Sequence, residues 1–153
     1  MIFESQPILK TKKESMKKLL QTNINDGALQ IGILILRLSS GAFMLTHGYG
    51  KMQKLMAGGD IQWADPLGIG PAASLALAVF AEVFCAVFII LGLGTRLAAI
   101  PLIVTMLVAA FIAHGGDPFG KKEMALLYLV MYVLVLIVGG GKYSLDNVLF
   151  KKK

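Results

Sequence analysis

Arg37 and Glu82 each stand inside a long apolar stretch, where an ionised side chain costs several kcal/mol unless it is paired or hydrated. A guanidinium in such a setting can bind an anionic or carbonyl oxygen, and a carboxyl group can carry protons. Two histidines mark the ends of other apolar stretches. His47 lies in His47-Gly48-Tyr49-Gly50-Lys51, and His114 precedes Gly115-Gly116-Asp117-Pro118, with Glu123 soon after. A neutral imidazole can donate to a quinone-like headgroup or take a proton from it, and this needs only reach. Two histidines and a carboxylate could instead hold a metal, or His47 and His114 could hold haem between them. A quinone is favoured over haem, and no metal ligand is assigned. Plainer readings stand beside these: Arg37 with Glu82 as a structural latch, and the histidines as hydrogen-bonded boundary residues.

The elements that must position these groups follow from composition. Of 153 residues, 56% are hydrophobic and 16% charged, and mean hydropathy is +0.72. A soluble domain carries about a quarter charged residues, so the chain reads as a membrane protein. The net charge of +6 does not indicate nucleic acid, because the lysines lie mostly outside the apolar blocks with no basic groove or stacking aromatics. Four apolar blocks, at about 28–47, 72–93, 97–114 and 124–141, approach the roughly 20 residues a helix needs to cross a bilayer. The expected fold is all-α: an integral-membrane four-helix transmembrane bundle in up-and-down order, covering residues 28–148. A basic tail precedes it at 1–27, suited to a short interfacial helix, and another follows at 149–153. The first block reads as a retained anchor, since no small-residue cleavage site follows it.

Connections and charges set the topology. Gly94, Thr95 and Arg96 alone separate blocks two and three, with Gly94 suited to a left-handed C-cap and Thr95 to the next N-cap. Asp26 is the expected N-cap of the first helix. The first loop, 48–71, is long, rich in Gly and Pro, and carries Trp63. Ten lysines and arginines on the side of the termini, against Lys51, Lys54, Lys121 and Lys122 on the other, place both termini in the cytoplasm. Arg37 is the tenth residue of its block and Glu82 the eleventh of the next, so antiparallel helices would bring them together near mid-depth as an ion pair. Ser40, Gly41 and Met44 share the Arg37 stripe, and Ala78, Ala86 and Ile89 the Glu82 stripe, which permits close approach.

Tyr128 and Tyr132 fall at i, i+4 in the last block, and the Tyr132 hydroxyl needs a protein partner at its depth. Phe80, Phe84 and Phe88 form a stripe that meets lipid or packs the bundle. The lone Cys85 excludes an internal disulfide or a dithiol shuttle and reads as a small buried hydrophobe.

Arg37, Gly41 and Phe43 leading into His47-Gly48-Tyr49-Gly50-Lys51, then Glu82, then Gly92-Leu93-Gly94-Thr95-Arg96, and finally Phe119, Glu123 and Gly141-x-x-Ser144-x-Asp146, resemble the DoxX family in order and spacing. The resemblance covers about residues 28–148. It implies a four-helix protein of the bacterial cytoplasmic membrane, described in relatives as an oxidoreductase subunit and associated with thiosulfate:quinone oxidoreduction or thiol and superoxide stress. Arg37, His47, Lys51 and Glu82 are the family positions it carries. On this reading Arg37, Glu82, His47 and His114 are the catalytic candidates, and His47, Lys51 and Tyr132 the cofactor-facing ones. No nicotinamide, flavin or iron–sulfur motif is visible, so electrons would pass through a bound cofactor or a partner protein. The expected partners are the bilayer, redox-enzyme subunits and further copies of the chain. Two other classes fit the same residues: a non-enzymatic membrane assembly partner, and a small proton-coupled transporter using Glu82.

Overall fold

The computed structural model describes residues 25–150; the expected interfacial helix in the amino-terminal tail and the last three lysines lie outside them. Four long helices and one short one follow in order: α1 (Asp26–Ala57), α2 (Pro71–Leu91), α3 (Thr95–Ala113), α4 (Phe119–Val138) and α5 (Leu145–Phe150). Among the described residues there is no strand. α1, α2 and α3 are long and apolar enough to cross a membrane. α4 has 20 residues, but Lys121, Lys122 and Glu123 occupy its opening turns.

α1 runs along α2, α4 runs along α3, and α1 also touches α4. Met44, Ile89, Leu102, Met106, Tyr132 and Val135 meet in the core. Large apolar side chains also point outward: Phe43, Phe80, Phe84, Phe111 and Ile137 are exposed on the outer surface. Apolar residues on both faces of a helix suit a bundle whose solvent is lipid. The phenylalanine stripe of α2 is thus on the outside, with Phe80 and Phe84 stacked at 6.5 Å.

The first helix does not end at His47 as its hydropathy suggests but continues to Ala57, which shortens the following loop. Its cap is Asn25, not Asp26: the Asn25 side chain accepts from the N–H groups of Gly27 and Ala28. The two caps of the α2–α3 turn also differ from expectation. Gly92, at φ 69°, closes α2, and Thr95 is the first residue of α3 without capping it. The carboxylate of Asp146 does so, accepting from Gly94 N–H at 2.7 Å, Thr95 N–H at 2.9 Å and the Thr95 hydroxyl at 2.7 Å.

Two stretches depart from α geometry. Residues Phe80–Cys85 of α2 and Val108–Ala113 of α3 are π-helical. Such turns hold one extra residue and often accompany functional sites. The first contains Glu82.

Candidate functional site

Glu82 and Arg37 do not meet. Arg37 is 1% exposed, and its guanidinium donates to four backbone oxygens: Ile89 and Ile90 at the end of α2, and Gly140 and Tyr143 beyond α4. The three of these bonds made by Nε and Nη2 measure 3.1 Å. The last carbonyls of a helix lack intrahelical partners and carry partial negative charge, so a buried cation placed there satisfies both. The expected pair fails on register. Gly41 lies against the Ala86 carbonyl and Gly48 against that of Glu82, which sets Arg37 opposite the end of α2. The residue opposite Glu82 is Lys51, fourteen positions after Arg37 and therefore about 21 Å further along the helix.

The Lys51 ammonium donates to Glu82 Oε1. Glu82 is 2% exposed, and its other oxygen, Oε2, is buried with no hydrogen-bond partner among the described residues. A buried carboxylate oxygen left without a donor is costly, which makes it the most informative atom in the molecule. Two cavities share Glu82, Lys51 and His114 in their walls. The larger, about 470 Å³, lies between α2 and α3 under the first loop, with Trp63, Leu67, Leu77, Ala78, Val104 and Val108 around it. The smaller, about 180 Å³, lies between α1, α3 and α4, with Glu82 of α2 in its wall, and includes Met44, His47, Met106 and Tyr128. Both π-helical stretches border the larger cavity.

The loop between α1 and α2 is held at two points: the Lys54 ammonium donates to the Gln62 carbonyl, and the Asp65 carboxylate gathers the stretch before α2. Asp65 accepts from Gly70 N–H at 2.8 Å, Ile69 N–H at 3.0 Å and the Ser74 hydroxyl at 2.7 Å. The Ser74 bond, foremost among these, holds the Asp65 carboxyl below the ordinary carboxylate range. Trp63, between these two points, lines the cavity, with Lys51 Nζ 5.8 Å and Lys54 Nζ 5.4 Å from its ring, within cation–π range.

His114 caps the end of α3, and its Nδ1 lies 2.8 Å from Asp117 Oδ2. This contact, reinforced by Lys121 at 3.7 Å, lowers the Asp117 pKa. A carboxylate on one ring nitrogen fixes the orientation of the other. His47 makes an edge-on contact with Tyr128, ring centres 5.8 Å apart. Tyr128 stacks on Tyr132, whose buried hydroxyl donates to the Ser40 carbonyl at 3.1 Å, so Tyr132 does face the interior. Glu123 is exposed, and among the described residues no three His, Cys, Asp or Glu side chains are grouped to hold a metal ion. Cys85 is buried and free.

The structure therefore brings together Glu82, Lys51, His114 and His47 at the end of the bundle that carries the long loop, and leaves Arg37 toward the other end, beside Gly140 and Tyr143. Sequence reasoning gave no role to Trp63, Asp65, Asp117 or Asp146. Asp65 had a local signal, an Asp ahead of a Pro-Leu-Gly turn. Asp146 is marked only by the family resemblance, in Gly141-x-x-Ser144-x-Asp146, and its capping part is not local, since its bonds reach back some fifty residues along the chain.

Among the described residues, an all-α fold, three helices long and apolar enough to cross a bilayer and a part-buried ion pair beside a mostly apolar cavity are the marks of a membrane protein with an internal polar site. The chain belongs to the DoxX family, whose pattern it matches over residues 32–115. It is 32% identical over 130 residues to an uncharacterized protein of Haemophilus influenzae, covering 78% of this chain and 92% of that one. Similarity extends to a Bacillus subtilis protein named "Putative oxidoreductase CatD", at 28% identity with 82% and 92% covered. It extends also to the Escherichia coli inner membrane protein YqjF, at 27% identity with 80% and 95% covered. No solved structure matches the chain.

Proposed function

We propose that the chain is a membrane subunit of a quinone-linked oxidoreductase and that the ring of the quinone binds at Lys51 and Glu82. The observation that carries this reading is Glu82 Oε2, a buried acceptor without a donor among the described residues, in a residue that lines two cavities. The larger cavity is mostly apolar, which suits a hydrophobic ring compound bearing oxygens. Lys51 donates to a ring oxygen, and Glu82 carries a proton to or from it. His114, held by Asp117, connects Glu82 with the surface, while His47 and Tyr128 close the smaller cavity in front of Tyr132. Two electrons supplied by a partner subunit and two protons convert quinone to quinol, so the chain's own residues bind, orient and move protons. The name of the Bacillus subtilis relative agrees with redox work of this kind.

In this reading α4 is a fourth span, the bundle is up-and-down, and both termini face the cytoplasm of a bacterium. The excess of Lys and Arg at the terminal end supports that orientation, as does the inner-membrane relative. Arg37 has a structural part, tying α1 to the ends of α2 and α4.

The test is an inventory of what the purified protein retains in mild detergent, by mass spectrometry of extracted lipids and an oxidised-minus-reduced spectrum. A stoichiometric quinone is expected, lost in Glu82→Gln and Lys51→Met and kept in the outward-facing Phe84→Leu. A protein that is empty and takes up no added quinone overturns the proposal. It would favour the second reading, a non-enzymatic assembly partner, for which the Arg37 tie between three segments already speaks.

A further inference from the structure

The binding site has an imbalance that selects one form of its ligand. Lys51 offers N–H donors, and Glu82 Oε2 asks for one. A ring that carries only carbonyl oxygens answers Lys51 but leaves Oε2 unsatisfied, whereas a ring with a hydroxyl answers both. A hydroxyl bonded to a buried carboxylate is among the stronger hydrogen bonds a site can make. The route in is also drawn by the side chains. Leu77 and Val104 line the larger cavity and are themselves 54% and 51% exposed on the outer surface of the bundle. They belong to adjacent helices long and apolar enough to cross a bilayer, so the cavity opens sideways, between α2 and α3, on the face suited to lipid.

We infer that the site is built for the reduced, hydroxyl-bearing form of a membrane-soluble ring compound, a hydroquinone or phenol, which enters from the bilayer between α2 and α3. This deepens the quinone reading and rests on it. The apolar wall from Leu77 to Val108 receives the ring and the start of its chain. Trp63 covers the ring from the loop, and Glu82 Oε2 accepts its hydroxyl.

Trp63 is the single tryptophan of the chain and lines the cavity, so its emission reports occupancy directly. The unaltered protein in lipid nanodiscs is titrated with decylhydroquinone, its dimethyl ether and decylquinone, and affinity is taken from the concentration dependence of the emission. The hydroquinone is expected to bind about tenfold or more tightly than either companion, the difference a hydrogen bond to a charged group makes. In Glu82→Gln that preference should shrink. If this variant does not fold, the three-ligand comparison decides alone. Equal affinities, or a tighter quinone, overturn the inference and leave the quinone reading standing. Failure of all three to bind removes both. Leu77→Trp, tested by calorimetry, should weaken every ligand; unchanged binding would overturn entry between α2 and α3.

Discussion

Gly48 lies against the main chain of Glu82: a methyl group on its Cα would stand 2.8 Å from the Glu82 carbonyl oxygen and 2.9 Å from its carbon. No L side chain fits without moving one helix, because the obstacle is backbone. The residue that follows a histidine in the His-Gly-Tyr-Gly-Lys segment is thus what allows α1 and the π turn of α2 to touch and Lys51 to reach Glu82. Gly48→Ala is expected to cost about 1–3 kcal/mol through overpacking. Ligand binding at Trp63 should weaken with it, whereas Gly50→Ala, with open space at its Cα, should do neither. Thermal unfolding in detergent and Trp63 emission measure the two effects.

Arg37→Met removes a cation that satisfies four carbonyl oxygens in a site closed to water. A loss on the order of 3 kcal/mol is expected, the scale of hydrogen bonds to a charged group. Arg37→Lys should rescue little, since one ammonium cannot reproduce a planar fork of donors. The segment after Val138 should become sensitive to protease in both variants. Resistance equal to the parent protein would show that the bonds of Asp146 and of Lys142 N–H to Gln30 hold the segment without Arg37.

Asp146 gives the α2–α3 turn a pH dependence. Burial pushes its carboxyl pKa up, but the bonds from Thr95 and Gly94, with the nearby Arg37, outweigh that and set it below the ordinary value. A folded-state pKa below the unfolded one contributes stability that is complete above the unfolded pKa and is lost as pH falls toward the folded one. The window therefore opens near about pH 4 and runs downward. Asp146→Ala should cost about 1 kcal/mol at neutral pH, as loss of an N-cap does. The gap between it and the parent should close in acid, and unfolding curves from pH 7 to pH 3 measure it.

Asp65→Ala should release the first loop while leaving the helices in place, because its bonds are to Ile69, Gly70 and Ser74 and not to the core. Trp63 emission should shift to the red and lose its response to ligand, with helix content by circular dichroism unchanged. An unshifted emission would mean that the lysines beside Trp63 suffice to hold it.

The helices themselves were legible because lipid imposes long apolar runs, and the interior place of Tyr132 followed from the need of its hydroxyl for a partner. What hydropathy marks, however, is where lipid ends and not where a helix ends. α1 continues through Lys51 and Lys54 to Ala57, so depth counted from the apolar edges put Arg37 about two turns away from its true neighbours. The register is decided by contacts of Gly41 and Gly48 with main-chain oxygens, which depend on three-dimensional fit. The Lys51–Glu82 pair was hidden for that reason, although the family resemblance had marked both residues. The role of Asp146 was hidden by distance along the chain, since a capping carboxylate is ordinarily sought within a few residues of the helix it caps.

The π turn at Phe80–Cys85 divides α2 into two lengths with separate allegiances. Each residue added to a helix turns everything beyond it by about 100°, so the extra residue sets the facing of the Pro71–Val79 stretch independently of the Ala86–Leu91 stretch. The latter answers to Arg37 and the former to the loop and its cavity. Removing one residue within the turn would keep an unbroken helix and still unmake the site, by swinging Leu77 and Ala78 away from the opening while the far end stayed anchored. The bulge works as a phase shifter, letting one rod of backbone serve two differently oriented neighbourhoods.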